Sequence, residues 1–144
     1  MFRKSLFVLI TLQFLTAFFH SLSFFTKPTA SNETEEKLID LFTNYKQDLG
    51  MGIHRSTYDL FTGLSLCFTL IFIFGGLINI YFLRSKLDHS HWRGLLKIES
   101  FIFGAVFLAM LLFTFLLPIV CTALILAACI GAFIISKNHT LTTS

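Results

Sequence analysis

Charged residues are scarce in this chain of 144 residues: they make up 13% of it, whereas 55% of the residues are hydrophobic. A soluble domain usually carries about 25% charged residues. The mean hydropathy of +0.77 points in the same direction. This shortage of charge excludes a water-soluble globular protein and predicts that much of the chain lies in lipid.

Asp, Glu, Lys and Arg are absent from three long apolar windows, Ser5–Phe25, Leu60–Leu83 and Ser100–Ser136. A membrane-spanning helix needs about 20 apolar residues, so each of the first two windows predicts one span. The third window is long enough for two spans, and Pro118 favours a break inside it. The sequence thus predicts an all-α polytopic membrane protein, a four-transmembrane-helix bundle. The predicted spans cover about 5–25, 57–83, 96–116 and 119–136 of a single membrane domain, 1–144.

The sequence also lacks the patterns of several chemistries. Its cysteines, Cys67, Cys121 and Cys129, fall inside the apolar windows and are interpreted as small hydrophobic residues rather than a disulfide framework. The sequence contains no phosphate-cradling glycine loop and no convincing metal-ligand pattern. We therefore expect no cofactor, no metal and no nucleic-acid partner. The basic start of the first window is also typical of a signal peptide, but the bulky rings at its end favour a retained helix.

The distribution of basic residues predicts the orientation of the spans, because cytoplasmic loops are enriched in Lys and Arg. With a cytoplasmic amino terminus, seven basic residues lie inside and four lie outside. The inside set is Arg3, Lys4, Arg84, Lys86, Arg93, Lys97 and Lys137, and the outside set is Lys27, Lys37, Lys46 and Arg55. We therefore expect both termini in the cytoplasm, with Tyr81 and Trp92 as interfacial anchors.

A short amphipathic outer helix is predicted between the first two spans, at about 32–49. Asn32 can cap its start while Glu35 reaches back, and apolar residues then recur at helical spacing. Gly50 supplies a stop signal. This helix could lie on the membrane surface, or it could act as a lid over a site.

Five polar residues are predicted to cluster at the outer ends of the first two helices. They are His20, His54, Arg55, Ser56 and Asp59. Ionisable groups at membrane depth usually mark a site or a structural pair. Three roles stay open: a staple between the two helices, a binding site for an anion, headgroup or quinone-like ligand, and catalysis, for which no nucleophile beyond Ser56, Thr57 or water is evident.

Two further polar residues lie towards the inner side, Asn79 in the second span and Glu99 at the start of the third. They could hydrogen-bond across the bundle. Since Glu99 is close in sequence to Lys97 and the basic loop, it is interpreted as an ordinary interfacial charge.

Small residues predict the contact faces of the helices, because close approach drives helix packing in lipid. Gly63, Gly75 and Gly76 mark such a face in the second span. In the last span Ala123, Ala127 and Gly131 repeat every four residues, and Ala128 and Ala132 form a second row beside them. Packing within the bundle explains the last repeat, and a homodimer or protein partner on that face is the alternative.

The segment from Gly52 to Leu66 resembles a family of small, uncharacterised bacterial membrane proteins with four predicted helices. In that family an Arg-Ser-x-aromatic-Asp-x-x-x-Gly stretch opens the second helix. The matching positions are Arg55, Ser56, Asp59 and Gly63. Further similarities are His20 late in the first helix, the amphipathic segment Glu35–Leu49 and the break Phe115–Pro118. The chain departs from the family at Leu64, where the family has an aromatic residue.

The resemblance implies a four-helix fold in the bacterial inner membrane and implies no particular reaction, because the family has no established activity. The sequence as a whole favours a small multi-pass inner-membrane protein that acts by interaction or ligand binding, with the lipid bilayer as its surroundings, and it does not favour an enzyme. The alternative is a small membrane enzyme or redox accessory that uses the outer His/Arg/Asp cluster.

Overall fold

The computed structural model of the chain describes residues 2–26, 28–85 and 89–141. Lys27 and Lys86 of the charge count lie outside these residues. Within the described part the fold is helical apart from one small hairpin, which confirms the predicted helical class. Its helices are α1 (Phe2–Ser21), α2 (Glu33–Asn44), α3 (Thr57–Arg84), α4 (His89–Phe113) and α5 (Leu116–Leu141), with a 3-10 helix (Leu22–Phe25) and strands β1 (Lys46–Asp48) and β2 (His54–Ser56).

Four segments have the length and composition of membrane spans. They are Phe2–Phe25, Thr57–Arg84, Ser90–Phe113 and Leu116–Ser136. Each coincides with one predicted span, so the four apolar helices of a multi-pass membrane protein are confirmed as helices.

The break between the last two spans lies earlier than predicted. α4 ends at Phe113 and α5 begins at Leu116, so Pro118 is the third residue of α5 rather than the break itself. Proline is tolerated in the first turn of a helix, where its missing N–H has no intrahelical partner to lose. α4 also begins at His89, well before the predicted start near residue 96.

The outer helix α2 is shorter than the predicted 32–49. Its start is as expected: Asn32 Oδ1 accepts a hydrogen bond from the backbone N–H of Glu35, at 2.9 Å. Its end is different, because the chain leaves the helix after Asn44 and forms the antiparallel pair β1–β2, in which Gln47 faces Arg55.

Gly50, which suggested a helix stop in the sequence, lies at the tip of the β1–β2 hairpin. Gly50, Met51 and Gly52 all have positive φ, at 86°, 56° and 77°. Glycine adopts this backbone conformation without steric cost, which suits the two positions flanking Met51. Gly50 therefore belongs to a tight turn, and Met51 at its tip is fully exposed.

The chain forms two compact units, Met1–Thr16 with Ile71–Ser144, and Ala17–Leu70. We call them the inner unit and the outer unit, after the predicted orientation. In the outer unit, the ring of Phe42 on α2 packs against Tyr58 and Phe61 on α3, with ring centroids 6.1 and 5.6 Å apart. The side-chain amide of Gln47 also donates to Thr57 Oγ1 at 3.1 Å.

The inner unit holds parts of α1 and α3 together with α4 and α5. Gly75 and Gly76 on α3 lie against α1, as their small size predicts: a Cβ at Gly76 would be 2.7 Å from the ring of Phe14. The same prediction is wrong for Gly63, where a Cβ would meet no described atom within 4 Å. Trp92 is 5% exposed and makes edge contacts with Phe2 and Phe82. The expectation of an interfacial tryptophan anchor is therefore wrong, because helix packing encloses the ring.

The face that α5 buries is not the predicted Ala123–Ala127–Gly131 repeat, and of the second predicted row it includes Ala132 but not Ala128. Its buried side chains recur at helical spacing. They are Thr122, Ile125, Cys129, Ala132 and Ser136. By contrast, Ala127 is exposed, and a Cβ at Gly131 would meet no described atom within 4 Å. Packing inside the described part thus leaves the Ala123–Ala127–Gly131 face largely unused, and its role in a homodimer stays a prediction.

Candidate functional site

Two of the five outer residues form the start of α3. The backbone N–H of Ser56 donates to Asp59 Oδ2 at 3.0 Å, and the backbone N–H of Asp59 donates to Ser56 Oγ at 3.1 Å. This reciprocal pair is a capping box, which satisfies N–H groups that have no partner inside the helix. The Ser-x-x-Asp spacing could have revealed this role from the sequence.

Among the described residues, the other three outer residues form no side-chain hydrogen bond with Ser56 or Asp59. His54 and Arg55 are exposed in β2, so Arg55 is not on the helix face of Asp59. In the part of the chain that the structure describes, its guanidinium donates one hydrogen bond, to the backbone oxygen of His54 at 3.4 Å. His20 is half-buried and its ring lies 5.5 Å from the ring of Phe68. Among the described residues, no hydrogen bond joins His20 to Arg55 or Asp59.

A second polar cluster lies in the inner unit. The hydrogen bond across the bundle between Asn79 and Glu99, noted as an alternative from the sequence, is confirmed, whereas the participation of Gln13 and Cys129 was not predicted. The cluster consists of Gln13 on α1, Asn79 on α3, Glu99 on α4 and Cys129 on α5, and we call it the polar network. Gln13, Asn79 and Cys129 are fully buried, and Glu99 is 6% exposed. Each of the four helices of the inner unit supplies one member, so the network joins all of them.

Asn79 is the centre of the network. Its Nδ2 donates to Glu99 Oε1 at 2.8 Å and to Gln13 Oε1 at 3.1 Å. The thiol of Cys129 lies 3.9 Å from the other carboxylate oxygen, Oε2, and is a weak donor to it. Among the described residues, the hydrogen-bond partners of the Glu99 carboxyl group are thus uncharged side chains.

Two polar atoms of the network have no partner within the described residues. They are Gln13 Nε2, a donor, and Asn79 Oδ1, an acceptor, and both are buried. A buried polar atom without a hydrogen bond costs free energy, of the order of 1–3 kcal/mol. The network therefore has spare hydrogen-bonding capacity next to a carboxyl group.

The interpretation of Glu99 as an interfacial charge is wrong. Glu99 lies nine residues after Ser90, which is about 14 Å along the helix axis, and Phe113 lies about 21 Å beyond it. Lys97, the neighbour that suggested an interfacial pair, is exposed, and no described salt bridge involves Glu99. The direction in which the Glu99 side chain points depends on the rotation of α4 about its axis. The closeness of Glu99 to Lys97 in the sequence gives no information on that rotation.

The sequence also explains why the network can form. Gly75 lies one turn before Asn79 on the same face of α3, and a Cβ at Gly75 would be 2.8 Å from Gln13 Nε2. The glycine therefore makes room for the amide of Gln13. Gln13 was not predicted, although it carries the same signal as Asn79, an uncharged amide inside an apolar window.

Comparisons of the chain with models of protein families, with curated proteins and with solved structures find no match. Within the described residues, no three His, Cys, Asp or Glu side chains come together as a metal site would require. The chemistry of the polar network is thus the main support for a function.

Proposed function

We propose that this chain is a four-pass membrane protein that acts by binding, without turnover, and that its binding centre is the polar network around Glu99. The single observation that carries this proposal is the burial of a carboxyl group, in the middle of an apolar helix, among partners that carry no charge. An ionised carboxylate in such a place is expensive unless a positive charge accompanies it. The ligand therefore carries positive charge.

The outer cluster supports a function less well. Its central pair, Ser56 and Asp59, already bond each other at the start of α3. Arg55 and His54 are exposed in the hairpin, where water screens their charges. No described hydrogen bond brings His20, Arg55 and Asp59 together as a membrane enzyme built on them would need. Binding at the polar network is therefore the better proposal.

The location of the protein follows from its charges and from the resemblance noted above. The excess of basic residues on one side of the spans supports cytoplasmic termini, and the resemblance at Arg55–Gly63 supports the bacterial inner membrane. On the outer side, Leu38 and Leu41 of α2 are exposed apolar residues, which suits a helix lying on the bilayer surface.

The binding proposal is tested by measuring the thermal stability of the purified protein in lipid nanodiscs against defined positively charged species. The series covers protons, by changing pH at constant ionic strength, and sodium, potassium and tetramethylammonium ions at constant pH. We expect one of them to stabilise the wild-type protein by more than it stabilises Glu99→Gln. Glu36→Gln, which removes an exposed carboxylate from α2, is the matched control and should respond as the wild type does.

A wild-type protein whose stability responds to none of these species, or responds in the same way as Glu99→Gln, would overturn the proposed function.

A further inference from the structure

We propose that the ligand of the polar network is a proton, which binds Glu99 Oε1, and that its binding reverses the hydrogen bonds through Asn79 and Gln13. This inference rests on the proposed function and names its ligand. It starts from the geometry of three heavy atoms: Asn79 Nδ2 lies between Glu99 Oε1, at 2.8 Å, and Gln13 Oε1, at 3.1 Å.

The arrangement with Asn79 Nδ2 in the middle fits an ionised carboxylate. An ionised carboxylate only accepts hydrogen bonds, and Asn79 Nδ2 has two N–H groups to donate. Asn79 uses one for Glu99 and the other for Gln13. The donor Gln13 Nε2 and the acceptor Asn79 Oδ1 are left unpaired within the described residues.

Rotation of the two amide groups gives a second arrangement at the same heavy-atom positions. The nitrogen and oxygen of a side-chain amide are nearly equal in size, so a half-turn exchanges them. Asn79 Oδ1 would then lie between Glu99 and Gln13, where it accepts from a protonated Glu99 Oε1 and from Gln13 Nε2. The separation of 2.8 Å suits an O–H···O bond, and 3.1 Å suits an N–H···O bond.

The two arrangements differ by one proton and by little else. A hydronium ion of the surrounding water supplies the proton: one of its O–H bonds breaks and leaves a water molecule, an O–H bond forms on Glu99 Oε1, and the charge of the network goes from −1 to zero. Each arrangement leaves one amide donor and one amide acceptor unpaired. The number of hydrogen bonds that the amides form therefore favours neither arrangement. Which of the two forms depends on whether Glu99 carries the proton.

Within the part of the chain that the structure describes, no hydrogen-bond partner of Glu99 brings a positive charge to it. α1 and α3 present the neutral amides of Gln13 and Asn79, and α5 presents the thiol of Cys129, the one titratable group among these partners. On α4 itself, Lys97 is exposed and Arg93 is half-buried, and neither forms a described ion pair with Glu99.

The same geometry disfavours a metal cation. A cation needs several oxygen atoms that converge on one point. Here the polar atom nearest to Glu99 Oε1 is an amide nitrogen, and Asn79 Oδ1 has no part in the contact. A cation on the carboxylate would have to displace the Asn79 amide, whereas a proton needs only its rotation.

Infrared difference spectroscopy of the protein in lipid nanodiscs, recorded while the pH is changed, tests this inference. We expect a carbonyl band of a protonated carboxylic acid to appear on acidification, and to shift when the protein is labelled with ¹³C-carboxyl glutamate. Because any glutamate gives such a band once it is protonated, the Glu99 component is the part of the shifted band that Glu36→Gln keeps and Glu99→Gln lacks. If Glu99→Gln does not fold, replacing Glu33, Glu35 and Glu36 together by Gln leaves Glu99 as the one glutamate of the sequence, so that the shifted band belongs to it.

The reversal is tested by Asn79→Leu, which removes the acceptor for the Glu99 proton. We expect the acid band to move to the higher frequency of a carbonyl whose O–H has lost its partner. A band that does not move would overturn the reversal. Absence of the Glu99 component from the wild type, at every pH at which it stays folded, would overturn proton binding. The proposed function would survive that result if sodium, potassium or tetramethylammonium stabilises the wild type and not Glu99→Gln, and would fail with it otherwise.

Discussion

The side-chain nitrogen of Asn79 lies 2.8 Å from the carboxylate oxygen Oε1 of Glu99, and both side chains are buried between helices. The two residues are 20 positions apart and belong to consecutive long helices. Their contact joins α3 to α4 through polar groups that lipid cannot satisfy. It is therefore the contact on which both the stability and the proposed chemistry of the inner unit depend.

Loss of the Asn79 amide is expected to destabilise the protein through Glu99. Asn79→Ala leaves the buried carboxyl group without its strongest donor, which should lower the free energy of unfolding by about 1–3 kcal/mol. In a double-mutant cycle with Glu99→Gln, the coupling should be about 0.5–2 kcal/mol, as found for hydrogen bonds between membrane helices. Reversible unfolding in mixed micelles measures both quantities. Strict additivity of the two substitutions would show that the side chains do not interact.

Close packing of α1 on α3 should make Gly76 sensitive to a single methyl group. Gly76→Ala would place its Cβ 2.7 Å from the ring of Phe14, so the ring must move, at a cost of about 1–3 kcal/mol. Gly63→Ala, in the same helix, is the matched control, because its Cβ meets no described atom within 4 Å. Thermal unfolding of the two variants should therefore differ, with only Gly76→Ala less stable than the wild type. Equal stability of both would mean that α1 does not approach α3 at Gly76.

The capping box makes a prediction about the start of α3. Ser56→Ala removes the acceptor for the Asp59 N–H, and the loss of such a cap typically costs about 1 kcal/mol. Since Ser56 and Asp59 act as one unit, Asp59→Ala added to Ser56→Ala should cause a smaller further loss than Asp59→Ala alone. A Ser56→Ala protein as stable as the wild type would leave Ser56 free for another role.

The orientation of the spans can be tested with a membrane-impermeant maleimide on intact cells. Met51→Cys, at the exposed tip of the hairpin, should be labelled from outside, and Ser90→Cys, at the exposed start of α4, should be labelled only after the cells are opened. The parent protein, with its own cysteines in the apolar helices, gives the background. Labelling of Ser90→Cys in intact cells would reverse the orientation.

Sequence patterns predicted the long helices well because helix length and apolar composition are local properties. The same holds for the cap at Asn32, where residues three apart determine the contact. Sequence patterns failed to predict the end of α2, because the pairing of Lys46–Asp48 with His54–Ser56 determines the structure there. They also misplaced the break at Pro118, which a first helical turn accommodates.

The candidate site was harder to predict than the fold. Glu99 and Cys129 are 30 positions apart, and Gln13 and Asn79 are 66 apart. Whether such residues meet depends on the rotation of each helix, for which the apolar windows give little guidance because they are apolar on all sides. The charged and titratable residues favoured the outer cluster as the functional site, although the spacing of Ser56 and Asp59 is that of a helix cap.

Carboxyl labelling of the folded protein in lipid nanodiscs tests the burial of Glu99, on which the account depends, most directly. A water-soluble carbodiimide with an added amine modifies carboxylates that water reaches, and mass spectrometry of the peptides locates them. We predict rapid labelling of the exposed Glu33 and Glu36, and protection of Glu99 until the protein is unfolded. Labelling of Glu99 in the folded protein at the rate of Glu36 would contradict the account.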